Sequence, residues 1–254
     1  MKKTLSILAF FILFSSALFA VEFPLSLGLG GSFGIDSSVI SADLSDTIAK
    51  QSYSSYAYGL LIFFDMRFAE IGMGFSGLST TVNHSESFRK ATGIDPEEMT
   101  LSGNTLFLSL YGKYPFQLSS SLSLYPLVGI EAEIVMSMRY GSDSLYGARI
   151  KGDSYQGNAD DWTAVWFRFG IGSDFHLNEG VFLRSELTFG IKANTPREKA
   201  IISAITKQGD YTNISSYGIG GKLTISVGYT FKTLGQGGGS AYSSGSNADV
   251  YYPR

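Results

Sequence analysis

Residues able to do chemistry are few in this chain. It holds two histidines, His84 and His176, and no cysteine. The missing thiol excludes thiolate metal sites, a cysteine nucleophile, disulfide staples and a lipidated N-terminal cysteine. Two imidazoles do not make a histidine-rich metal centre, so no metal or cofactor is expected. His84 is followed by Ser85 and Glu86, the base, hydroxyl and carboxylate of acyl-transfer chemistry. Such a set works by convergence in space, and three consecutive residues are not a triad. They are read as solvated residues of an outer loop. Arg168, Asp174 and His176 share an even spacing and could form a proton-linked group or structural ion pairs; pairing is the favoured reading.

Even spacing has meaning only on an element that alternates, and beyond residue 21 the chain alternates eight times. In residues 56–68 one face carries Tyr56, Tyr58, Leu60, Ile62, Phe64, Met66 and Phe68. The other carries Ala57, Gly59, Leu61, Phe63, Asp65 and Arg67. Comparable segments lie near 23–35, 70–76, 106–114, 124–139, 165–176, 181–192 and 217–231. Every charge within them falls on the less apolar face: Asp65, Arg67, Glu70, Lys113, Glu131, Glu133, Arg139, Arg168, Asp174, Arg184, Glu186, Lys192 and Lys222. That face is otherwise rich in Gly, Ser and Thr. Small residues suit the crowded interior of a narrow barrel and suit the solvated face of a sandwich poorly.

Connection lengths test this independently. Long links, near 36–53, 79–103, 140–162 and 193–215, alternate with short ones near 68–69, 117–121 and 178–180. Outer-membrane barrels have short periplasmic turns and long outer loops; a sandwich has no reason to alternate so. Aromatics such as Phe23, Tyr56, Phe68, Tyr114, Tyr217 and Phe231 gather at the ends of the apolar faces, as interfacial girdles do. The fold expected is all-β, an eight-stranded antiparallel up-and-down transmembrane β-barrel.

Composition agrees. Charged residues are 16% of the chain, below the roughly 25% of soluble domains. Glycines number 30 against 6 prolines, with 14% aromatics, which suits many paired strands. The net charge of −3, about −5 without Lys2 and Lys3, and the lack of a basic run exclude nucleic acid as a partner. Residues 1–20 read as a signal peptide: a basic start at Lys2-Lys3, an apolar run, and a cleavage region ending at Ala20. The run is shorter than the roughly 20 residues of a spanning helix. Residues 21–231 would form the barrel. Residues 232–254, Gly/Ser-rich around Gly237, read as a flexible periplasmic tail.

With these features the chain resembles the small outer-membrane barrel proteins, the OmpX, OmpA transmembrane-domain and OmpW-like group, over about residues 22–231. The ending Tyr229-Thr230-Phe231 is similar to the aromatic-x-aromatic signal by which barrel assembly machinery recognises the last strand. Ser226 stands where that pattern prefers Gly, and a tail follows where the family usually ends. The resemblance implies a bacterial outer-membrane location, with outer-membrane lipids and the assembly machinery as partners.

Seven basic and six acidic inward residues predict a salt-bridge network filling the lumen, because unpaired charges in a poorly hydrated space are costly. Glu131, Glu133, Arg168 and Arg184 are expected to face one another across three consecutive strands. An eight-stranded barrel is just wide enough for side chains to fill it. The expected function is therefore a closed, monomeric, non-enzymatic barrel serving envelope integrity or contact with a host or environmental ligand. That contact would be made through outer loops, with helical stretches near 44–51, 86–91 and 198–207. The alternative is a narrow OmpW-like channel for small hydrophobic or polar solutes. A lipid-modifying outer-membrane enzyme is the remaining catalytic class.

Overall fold

The computed structural model describes residues 25–44, 47–92, 98–140, 143–146, 163–178, 180–194 and 212–231. The expected signal peptide, the tail, Phe23 and the helical stretch near 198–207 lie outside these residues. Ten strands and one helix are present among the described residues: β1 (Leu25–Leu44), β2 (Thr47–Asp65), β3 (Ala69–His84), α1 (Glu86–Thr92), β4 (Glu98–Lys113), β5 (Phe116–Gln117), β6 (Leu122–Tyr140), β7 (Asp143–Tyr146), β8 (Thr163–His176), β9 (Val181–Lys192) and β10 (Thr212–Phe231).

Each long strand pairs antiparallel with its neighbours in sequence, and β1 pairs with β10, as in Leu25 opposite Phe231. The ring β1-β2-β3-β4-β6-β8-β9-β10 is therefore closed and has no free edge. In hydrocarbon no water can satisfy a bare N–H or C=O, so closure is what lets strands cross. β5 and β7 are short additions that pair with β6 at opposite ends of it.

The faces divide sharply. Leu29, Leu60, Phe75, Ile130, Ile171, Phe189 and Ile225 are among the exposed outward residues. Transferred to lipid, this surface is the apolar band of a membrane barrel. Alternate residues point inward and are buried. The short links 66–68, 114–121 and 177–180 gather at one end with the start of β1 and the end of β10. This is the periplasmic end.

The strands run further outward than the alternation suggested. β1 has 20 residues and β2 has 19, where roughly 9–11 tilted residues cross a bilayer. The link expected at 36–53 is thus mostly strand, with Leu44 paired to Thr47. The helical stretch expected near 44–51 is a correction of the same kind: these residues belong to the β1–β2 hairpin. The stretch near 86–91 is helical, as α1.

Candidate functional site: the barrel lumen

The lumen holds three groups of charge, stacked from the periplasmic end outward. In the first, Asp65 closes β2, Glu70 is the second residue of β3, Lys113 closes β4, Asp174 lies on β8 and Arg184 on β9. Arg184 is 2% exposed and is held by three carboxylates. Its Nη1 donates to Glu70 and its Nη2 to Asp65. Nε and Nη2 each donate to Asp174, at 2.7 Å. These bonds cross the barrel from β9 to β2 and β3. Lys113 Nζ donates to Asp65 and, at 3.3 Å, to Glu70. Tyr125 Oη donates to Glu186 at 2.8 Å.

Aromatic rings wall this group in. The Arg184 guanidinium carbon lies 4.4 Å from the Phe63 ring centroid and 5.0 Å from that of Phe182, distances at which a cation is attracted to a ring face. Those rings lie flat against β1 and β10 because Gly28 and Gly228 have no side chain. A Cβ at either would stand 2.2 Å from a ring atom.

The second group centres on Glu131. One of its oxygens accepts from Arg168 Nε at 2.9 Å and lies 2.8 Å from Nη2. The other accepts from Lys222 Nζ at 2.6 Å and from Tyr111 Oη at 3.3 Å. The Arg168 guanidinium covers the Trp166 ring at 4.6 Å, and Trp166 Nε1 donates to Glu133 at 3.1 Å. In the third group, Lys192 Nζ reaches Asp36 and Ser38, both at 2.8 Å.

Outward of these, apolar side chains enter the lumen beside neutral polar ones such as Gln51, Ser55 and Thr80. Ile40, Val82, Phe88, Leu101, Val135 and Met138 are essentially inaccessible. Phe88 comes from α1 and stacks on His84, with centroids 5.1 Å apart and planes 10° from parallel. Tyr53 Oη donates to Gln51 Oε1, so the Gln51 amide donates to His84 Nδ1 at 2.8 Å. Ser85 faces away from that ring. Its Oγ accepts from Phe88 N at 3.2 Å and Lys50 N at 3.3 Å, which is helix capping. Adjacent His84 and Ser85 thus serve separate structural contacts and do not pair as base and nucleophile.

Several placements correct the sequence reading. His84, expected as a solvated residue of an outer loop, is buried at the end of β3. Arg139 is exposed and outward, while its neighbour Met138 is buried. A bulge at Met136, where Asn104 pairs with Ser137 but Thr105 with Val135, inserts one residue and reverses the facing beyond it. Arg67 lies past the end of β2, in the β2–β3 turn with φ of 67°, and covers the Phe68 ring at 5.0 Å. Arg184 does not face Glu131 or Glu133 but belongs to the Asp65 group. Arg168, Asp174 and His176 likewise part company: the first two pair in different groups, and the His176 ring lies 5.9 Å from that of Phe182. Asp36 is not legible from the apolar alternation, which ends at Ile35 although β1 continues to Leu44.

A closed ring of eight strands with an apolar outer band and a charged interior defines an outer-membrane β-barrel. The outer membrane protein beta-barrel domain matches residues 6–231, and the chain belongs to that family. Its place is the bacterial outer membrane. OprG of Pseudomonas aeruginosa is similar in structure, at 15% identity and a TM-score of 0.46, covering 83% of this chain and 97% of its own. The protease OmpT of Escherichia coli has 9% identity and a TM-score of 0.45, with coverages of 83% and 99%. Ail of Yersinia pestis, solved with the heparin analogue sucrose octasulfate, has 14% identity and a TM-score of 0.34, with coverages of 83% and 100%. No curated protein matches the sequence.

Proposed function

We propose that this protein is a closed barrel, a membrane-held scaffold that serves envelope integrity or surface contact rather than the flow of solutes. The observation that carries the reading is Arg184, bound at once by Asp65, Glu70 and Asp174 from β2, β3 and β8. A guanidinium so held bars the periplasmic end of the lumen. Moving it means separating buried charges, at a cost of several kcal/mol per uncompensated ion. The contact surface would be built on the outer ends of the strands and the links between them, since binding sites concentrate on loops carried by a rigid frame. Residues 1–20 would be removed on export, and residues 232–254 would lie in the periplasm. Tyr229 and Phe231, exposed and edge-to-face at 5.2 Å, would be read by the assembly machinery. The barrel would work as a monomer.

The test is planar-bilayer recording of the refolded chain. The closed reading expects brief, rare events or none. A steady ohmic conductance would replace it with the narrow-channel reading.

A further inference from the structure

Strand β3 ends above the lipid. From Leu78 on, buried Leu78, Thr80, Val82 and His84 point inward, while Ser79, Thr81 and Asn83 face outward. His84 is the last of the inward set and is 4% exposed. Phe88 of α1, itself buried, lies flat against its ring. The imidazole is thus the surface on which the helix rests.

Hydrogen bonds fix which nitrogen carries the proton. Tyr53 Oη donates to Gln51 Oε1, which turns the Gln51 amide N–H groups toward His84 Nδ1 at 2.8 Å. Nδ1 therefore accepts, and the proton of the neutral ring sits on Nε2. Nε2 is buried and has no hydrogen-bond partner. These surroundings suit a neutral ring only. An imidazolium donates from both nitrogens. Its Nδ1–H would meet the hydrogens of the Gln51 amide, and its Nε2–H would meet no acceptor. Even with the amide reversed, the second donor stays unmet. A buried donor without an acceptor is costly, and a charged one more so.

The charged and titratable groups around the ring do not relieve this. On α1, Arg89 adds a positive field, while Glu86 is paired with Lys90 at 2.6 Å on the exposed side of the helix. On β2, Lys50 is exposed and the Tyr53 hydroxyl is bound to Gln51. On β4, Glu98 is exposed opposite the outward Asn83. Burial, and after it the charge of Arg89, hold the imidazole below its ordinary value.

We propose that His84 is a proton-operated latch, which holds α1 in the outer mouth of the lumen while neutral and releases the helix in mild acid. Once α1 leaves, the ring reaches water and takes up its proton at the ordinary value, near about pH 6.5. The released state binds more protons than the docked one. Docking is therefore complete above that pH and weakens as pH falls below it, by at most about tenfold per pH unit for one proton. Release exposes Phe88, an apolar contact hidden at neutral pH. The latch goes beyond the closed-barrel reading and does not depend on it, since the Arg184 group bars the lumen whether or not α1 is docked.

The test uses the full refolded chain in lipid nanodiscs. When α1 is docked, the Phe88 and Arg89 amides donate to Ser85 Oγ and Ser85 O. A helix of 7 residues does not hold by itself in water, so undocking frees both. Their hydrogen-exchange protection factors, from which intrinsic exchange is already divided out, are read by NMR. They should fall several-fold between about pH 7 and pH 5 while those of β9 stay level. His84→Phe keeps a ring against Phe88 and cannot titrate, so its α1 protection should not change with pH. Gln51→Glu gives Nδ1–H an acceptor and should keep α1 protected at the acid end. Level protection in the native protein would overturn the proposal. So would an acid loss that survives in His84→Phe, because another group would then be its cause. If His84→Phe leaves α1 unprotected even at neutral pH, Gln51→Glu decides, and an acid loss there equal to the native one overturns the latch. Planar-bilayer conductance is read separately, so failure here and failure of the closed-barrel reading are distinguishable.

Discussion

Arg184 and Leu101 are 2% and 0% exposed inside one barrel, yet their surroundings have nothing in common. Arg184 sits among three carboxylates near the periplasmic end. Leu101 sits in the outer part of the lumen, where Ile40, Val82 and Met138 are also buried. Strand β3 contains both regimes. Up to Phe75 its apolar residues, Ile71, Met73 and Phe75, point outward and are half exposed. From Leu78 on, apolar Leu78 and Val82 point inward, and Ser79, Thr81 and Asn83 face outward. The switch marks the height at which the strands leave the lipid. Within the bilayer the barrel is inside-out, because the apolar solvent lies outside it. Above the bilayer the solvent is water, and the same ring buries its apolar residues as a soluble β-protein does.

If this contrast is right, the two parts should break differently. Arg184→Ala leaves Asp65, Glu70 and Asp174 without their central cation, and should cost roughly 3–5 kcal/mol in urea unfolding from lipid vesicles. Adding Asp174→Asn should restore part of the loss, because it removes one uncompensated charge. If the double variant is no more stable than Arg184→Ala, the charged region is not held by this network. Leu101→Ala should cost roughly 2–5 kcal/mol as an ordinary cavity, with no gain from any charge-neutralising second change. A small effect there would mean that the outer region is loosely packed. The least effect is expected from Ser85→Ala. Loss of the cap on α1 should cost roughly 0.5–2 kcal/mol of local stability, seen as faster hydrogen exchange in α1 with global unfolding unchanged.

The same contrast explains how much was legible in the sequence. Within the bilayer the outward face keeps its apolar run even where the inward face also carries Leu61, Phe63, Phe107 and Phe182, and that run located all eight strands of the ring and most of the inward charges. Above the bilayer the phase of the alternation reverses, as at Phe75 and Leu78, so a reading that follows one apolar face stops there and assigns a loop. Asp36 was lost for that reason, one residue beyond Ile35. The Met136 bulge misplaced Arg139 because one inserted residue leaves no mark in composition, only a change of parity. Partners were less legible than facing. That Arg184 meets Asp65 and Glu70, more than a hundred residues away in sequence, depends on strand tilt and closure, which spacing along the chain does not encode.

Closure of the lumen is the central claim, and the absence of cysteine makes one measurement direct. Thr188 lies inward on β9, 4% exposed, between the Arg184 and Arg168 groups. Thr188→Cys introduces a lone thiol of similar size at that point. The refolded variant in vesicles is treated with a charged methanethiosulfonate reagent. The account predicts that the thiol stays protected on the timescale in which an unfolded control reacts fully. Rapid modification in the folded barrel, from either side of the membrane, would contradict it.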